Sequence, residues 1–116
     1  KASMVVSGKD CAEQASVEEV ALATLRCLRA SVPANLPGIV FLSGGQSDEA
    51  ATQHLNAMNQ LGHRPWPLSF SYGRAMQQAA LKTWAQDMAG NLAAAQNTVF
   101  ERARANGLAA LGEYGG

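Results

Sequence analysis

Two short apolar runs, GIVFL at 38–42 and WPLSFS at 66–71, each give way to small polar residues and then to a helix-length segment. Gly38 to Leu42 is too short for a helix, and Ile39 and Val40 are β-branched, which suits a strand buried on both faces. Trp66 to Ser71 is the second strand, with Pro67 tolerable only near its beginning. Strands joined through one helix by short connections run parallel, because an antiparallel return needs only a tight turn. The alternation therefore predicts an α/β fold and excludes hairpin-based architectures.

Helix signals fill the spaces between. Ser16 can cap, with Glu19 three residues on as the capping-box partner, and Val20, Ala23, Leu25, Cys27 and Leu28 follow as an apolar stripe. Pro33 ends that helix and pushes Val32 into an extended conformation. Ser47 opens a second helix, with Asp48 and Glu49 in the first turn, where the positive end of the macrodipole favours acids. Its inner face is expected to carry Ala50, Ala51, Leu55 and Met58, and Gly62 stops it. A third helix is expected from about Arg74 through Trp84, and a fourth, capped by Asn91, to about Leu111. Two strands alone make no stable buried sheet, so either strands elsewhere pair with them or the region Met4 to Val6 supplies a third.

With 116 residues the chain suffices for one domain and not two, since single cores take ~100–200 residues. Nine basic side chains balance nine acidic ones, which leaves no electrostatic footprint for nucleic acid or an anionic membrane. No stretch approaches the ~20 apolar residues of a membrane span. No basic-then-apolar leader opens the chain, so the expected compartment is the cytoplasm. The chain begins at Lys1 and KASMVV reads as the interior of a longer polypeptide. Cys11 and Cys27 are expected to be reduced thiols acting as small buried hydrophobes.

Both strands end in the same kit. Ser43, Gly44 and Gly45 offer a hydroxyl and amides that no Cβ obstructs, backed by the amino terminus of the helix after Ser47. Ser71, Tyr72, Gly73 and Arg74 offer another hydroxyl, another open amide and a guanidinium that grips phosphate oxygens in a fork. The carboxyl ends of parallel strands share a crevice, so two such loops side by side point to phosphate. A nucleotide phosphate loop is absent, since Gly44-Gly45 runs into Gln46-Ser47-Asp48-Glu49 with no lysine. Lys1 has two readings by residue type, an ordinary exposed terminal lysine or, if desolvated near other cations, a Schiff-base former.

Other candidates carry less. His54 on a helix and His63 in a loop are expected at the surface, and no Cys, His or acid spacing builds a metal site. Trp66, Trp84, Phe70 and Phe41 fall at apolar strand and helix positions and are expected in the core. Glu18, Glu19, Asp48 and Glu49 serve helix amino termini, which leaves no carboxylate pair for acid/base work.

FLSGGQSDEAATQHLNAMN, PWPLSFSYGRAMQQAALKTW and NLAAAQNTVFERARANGLAALGEY, in that order and spacing, resemble the carboxyl-terminal part of class I fructose-1,6-bisphosphate aldolases. The resemblance implies a metal-free lyase with no cofactor on a (β/α)8 TIM barrel of ~250 or more residues. Residues 1–116 would form a single incomplete domain, from the end of strand 6 through strand 8 and the terminal helices. It implies that Lys1, followed by Ser3-Met4-Val5 as in the family, with Ala2 where the family carries proline, is the Schiff-base residue. Ser43, Gly44 and Gly45 would hold the C1 phosphate, completed by Ser71, Gly73 and Arg74. The substrate is a sugar phosphate, fructose 1,6-bisphosphate or fructose 1-phosphate, and the full protein a homo-oligomer, tetrameric by resemblance. The catalytic acids lie on strands outside this chain, so the segment alone is expected to be inactive. Tyr114 reads as a helix-flanking residue. The rival reading is a small non-enzymatic α/β module that binds a phosphorylated ligand through the same loops.

Overall fold

In the computed structural model, which describes residues 1–62 and 64–115, β1 (Ile39–Phe41) and β2 (Leu68–Phe70) run parallel with Phe41 opposite Phe70. His63, expected in a loop, lies outside the described residues. The Ser71 amide donates to the Phe41 carbonyl at 2.8 Å and extends the ladder to the start of the second loop. The third strand position is filled from a different place than expected. Ala2 pairs in parallel with Phe41, its amide donating to the Val40 carbonyl (3.0 Å) and its carbonyl accepting from Leu42 (2.8 Å). Met4 is buried, whereas Val5 and Val6 are exposed and form no strand. The Val5 amide instead donates to the Thr24 hydroxyl on the first helix at 2.9 Å, which draws the segment away from the sheet.

The described residues form four helices, α1 (Val17–Ser31), α2 (Asp48–Gln60), α3 (Arg74–Gln86) and α4 (Leu92–Ala110). Ser16 and Glu19 form the full capping box on α1, and Val32 closes it in the extended conformation that Pro33 imposes. The Ser47 hydroxyl accepts from the Ala50 amide at 3.1 Å and caps α2. Asn91 stands at the start of α4 but does not cap it: its side chain donates to the Thr83 carbonyl at 2.8 Å, tying the α3–α4 turn.

The core lies between the sheet and the helices, with Phe41, Leu55, Met58, Leu25 and Trp66 essentially inaccessible. Trp66 is buried along with its polar atom because the indole donates to the Pro33 carbonyl at 2.8 Å. Helices cover one sheet face only. Ile39, Phe41 and Leu68 point towards them, while Val40 and Ser69 are half-buried and Leu42 is exposed. The expected burial of the first strand on both faces is therefore met on one.

On α1 the buried face is Val20, Ala21, Thr24, Leu25 and Leu28. The stripe is rotated from the expected one, which leaves Ala23 half-buried and Cys27 outside; Cys27 and Cys11 are both exposed, free thiols rather than core. Trp84 also departs from expectation. It is 40% exposed at the end of α3, its indole donating to the Met88 carbonyl at 3.1 Å, and Phe70 is half-buried. His54 is not at the surface: the residue is buried on α2, its ring against Gln46 of the first loop.

Candidate functional site

The first loop leaves β1 at Phe41 and reverses through two glycines. Gly44 and Gly45 have φ of 58° and 82°, the left-handed region that side chains resist, which is why glycine occupies both positions. Gln46 closes the turn: its amide and its side-chain nitrogen both donate to the Ser43 carbonyl, at 3.0 and 2.9 Å. The Gln46 side-chain oxygen is held in turn by the Nδ1 position of buried His54. Burial disfavours the charged imidazolium and lowers the His54 pKa from its ordinary value, so the neutral ring donates from Nδ1. Among the described residues no backbone carbonyl accepts from the Gly44 or Gly45 amide.

The second loop leaves β2 and enters α3 at Gly73. Tyr72 anchors it, its buried hydroxyl donating to the Ala51 carbonyl of α2 at 2.8 Å. Burial pushes the Tyr72 hydroxyl well above the usual tyrosine range, and the Arg102 charge nearby pulls part of that back. Gly73 and Arg74 are exposed at the rim. Arg74 reaches across to the first loop: a Cβ on Gly45 would stand 3.9 Å from its Nη2. Ser43, Gly44 and Gly45 are thereby brought together with Arg74, with Ser71 and Gly73 on the same rim.

Lys1 is exposed and precedes the bridge at Ala2, which sets it beside Val40 one strand position away from β2. By strand alternation it shares the helix-free face with Val40 and Ser69. Among the described residues no group of three or more His, Cys, Asp or Glu side chains is placed to hold a metal ion. Among the described residues no helix is long and apolar enough to cross a membrane. Sequence reasoning missed His54 and Tyr72 as supports of the loops. Tyr72 carried a usable signal, an aromatic between two rim residues, whereas nothing local marked His54.

Parallel strands flanked by helices, with two glycine-bearing loops side by side at their carboxyl ends, are the architecture of part of a (β/α)8 barrel. A fructose-bisphosphate aldolase class-I family model matches residues 1–116. The chain is 71% identical over its whole length to a probable fructose-bisphosphate aldolase class 1 of Xanthomonas axonopodis pv. citri, spanning 35% of that protein. It is 54% identical to fructose-bisphosphate aldolase 1 of Toxoplasma gondii, covering all of this chain and 32% of that one. The fructose-bisphosphate aldolase of Plasmodium falciparum, solved in complex with TRAP and a small molecule inhibitor, superimposes with a TM-score of 0.91 at 47% identity, over 98% of this chain and 33% of that one. The chain belongs to the class I fructose-bisphosphate aldolases. It spans about a third of the length of the relatives it matches. The rival reading, a small free-standing module, gives way to this one.

Proposed function

We propose that the chain is the carboxyl-terminal part of an aldolase barrel and supplies two pieces of its site, the Schiff-base lysine and the C1-phosphate loops. In this reading the Ala2 segment is the end of strand 6, β1 is strand 7 and β2 is strand 8, in one incomplete domain. Lys1 attacks the ketone of fructose 1,6-bisphosphate, and water leaves as the iminium forms. The C3–C4 bond then breaks, its electron pair moving through the iminium to give an enamine, while glyceraldehyde 3-phosphate departs. Hydrolysis of the iminium that follows protonation releases dihydroxyacetone phosphate and the free lysine.

Ser43, Gly44, Gly45, Ser71, Gly73 and Arg74 hold the C1 phosphate. They orient the carbonyl towards Lys1 and exploit the amino termini of α2 and α3. The reaction uses no metal, and acid/base groups come from the rest of the protein. The whole protein is proposed to be a cytoplasmic homo-tetramer. The observation that supports the reading is that Arg74 Nη2 stands 3.9 Å from where a Cβ on Gly45 would be, so the guanidinium of the second loop reaches the glycines of the first.

The test is borohydride trapping of the full-length protein with dihydroxyacetone phosphate, followed by peptide mapping. Label on Lys1 is expected; label on any other lysine ends the assignment.

A further inference from the structure

The two phosphate loops sit on separate strands, so something must fix the distance between them. β1 and β2 do so below the rim. Above it, the loops continue into α2 and α3, and one side chain from a distant helix bonds the first turns of both. Arg102 of α4 donates from Nε to the Ala75 carbonyl of α3 at 3.0 Å and from Nη2 to the Asp48 carbonyl of α2 at 2.8 Å. The same Nη2 also donates to the Thr52 hydroxyl of α2. One turn along α4, buried Asn106 repeats the bridge: its Oδ1 accepts from Thr52 at 2.7 Å and its Nδ2 contacts Met76 Sδ at 3.2 Å. Asp48 and Ala75 are the residues next after Ser47 and Arg74, so these bonds act directly behind the loops.

We propose that Arg102 is a positioning residue for phosphate binding, its planar guanidinium setting the separation of the Ser43–Gly45 and Ser71–Arg74 loops by holding the first turns of α2 and α3 together. This rests on the phosphate role given to those loops above. A guanidinium suits the task because its donors point in fixed directions from one rigid plane, whereas an ammonium is a point charge on a flexible stem. Displacing a binding group by ~1 Å costs up to about a hundredfold. The phosphate contacts are spread over both loops, so a change in their separation weakens all of them at once. Lys1 stands on the other side of β1 from β2, and the loss is expected in substrate affinity more than in the chemical step.

The experiment uses the full-length protein with R102A and R102K. R102A is expected to raise KM for fructose 1,6-bisphosphate and the inhibition constant of inorganic phosphate by about tenfold or more, with kcat within about twofold. Millimolar methylguanidinium should restore part of the affinity to R102A. R102K, which keeps the charge and loses the fork, should stay impaired. Unchanged KM and phosphate inhibition in folded R102A, or wild-type behaviour in R102K, overturns the proposal. Should R102A fail to fold, T52V carries the test by removing one α2 acceptor: a rise in KM without a matching fall in kcat supports the proposal, and equal falls in kcat and thermal midpoint with unchanged KM overturn it. Borohydride labelling of Lys1 in the same preparations separates the two levels. Absence of label at Lys1 defeats the aldolase assignment itself, whereas label with unchanged phosphate affinity defeats only the role of Arg102.

Discussion

Replacing Gly45 or Gly107 by alanine in the full-length protein adds the same methyl group at two places and should move stability in opposite directions. Gly45 has φ of 82°, and a Cβ there would meet nothing nearer than Arg74 Nη2 at 3.9 Å, so the cost arises in the backbone and not from a clash. An L residue in the left-handed region costs ~1–2 kcal/mol. The loop relieves this only by rotating a peptide unit, which turns an amide away from the crevice. A hydrogen bond to a charged group contributes ~1.5–3 kcal/mol, so affinity for a phosphate-bearing ligand should fall by roughly ten- to a hundredfold at ~1.4 kcal/mol per decade. Gly107 lies inside α4 without a positive φ and with nothing within 4 Å of the added methyl. Alanine there restricts the unfolded chain and should stabilise by ~0.5–1 kcal/mol. The assay is thermal denaturation of both variants, with calorimetric titration of dihydroxyacetone phosphate into each. A Gly45→Ala protein with wild-type midpoint and affinity would refute the reasoning.

Burial lowers the His54 pKa from its ordinary 6.5, so the unfolded chain takes up that proton more readily than the folded one. The stability associated with the neutral ring is present above pH 6.5 and is lost as the pH falls below it towards the lowered folded value. His54→Asn, which keeps a donor near the Nδ1 position, should flatten the fall in thermal midpoint between neutral pH and about pH 5; parallel curves for the two proteins would contradict this. The 116-residue chain alone is expected to cleave no fructose 1,6-bisphosphate and to self-associate through its bare sheet face and exposed Leu81, Leu92 and Phe100. Aldehyde release by the purified chain in a coupled assay would contradict that.

What was legible in the sequence was local. The Ser16–Glu19 box, the Ser47 cap and Pro33 each act within a few residues, and the structure places all three as read. The misplaced residues depend on what packs against a helix from far along the chain. Cys27 and Ala23 were read onto the inner face of α1 because apolar residues suggested it, yet Thr24 is the buried one, since its hydroxyl accepts from the Val5 amide. Trp84 looked like core by residue type, but the elements described here leave its face open. Arg102 gave no signal at all, because its partners lie 27, 50 and 54 residues away.

The polar character of the α2–α4 contact has a consequence for register. Thr52, Asn56 and Asn59 are buried on α2, and each meets α4 or the residues just after it through hydrogen bonds: Thr52 to Asn106, Asn59 Nδ2 to the Ala109 carbonyl at 3.1 Å, Asn56 to the Tyr114 backbone. Two greasy helices can slide past each other by part of a turn and exchange one set of contacts for another. Helices tied donor to acceptor resist this, because a shift of one turn, ~5.4 Å, breaks all of these cross-helix bonds at once. The interface therefore works as a ruler more than as glue, and α4 has one position along α2 at which it fits.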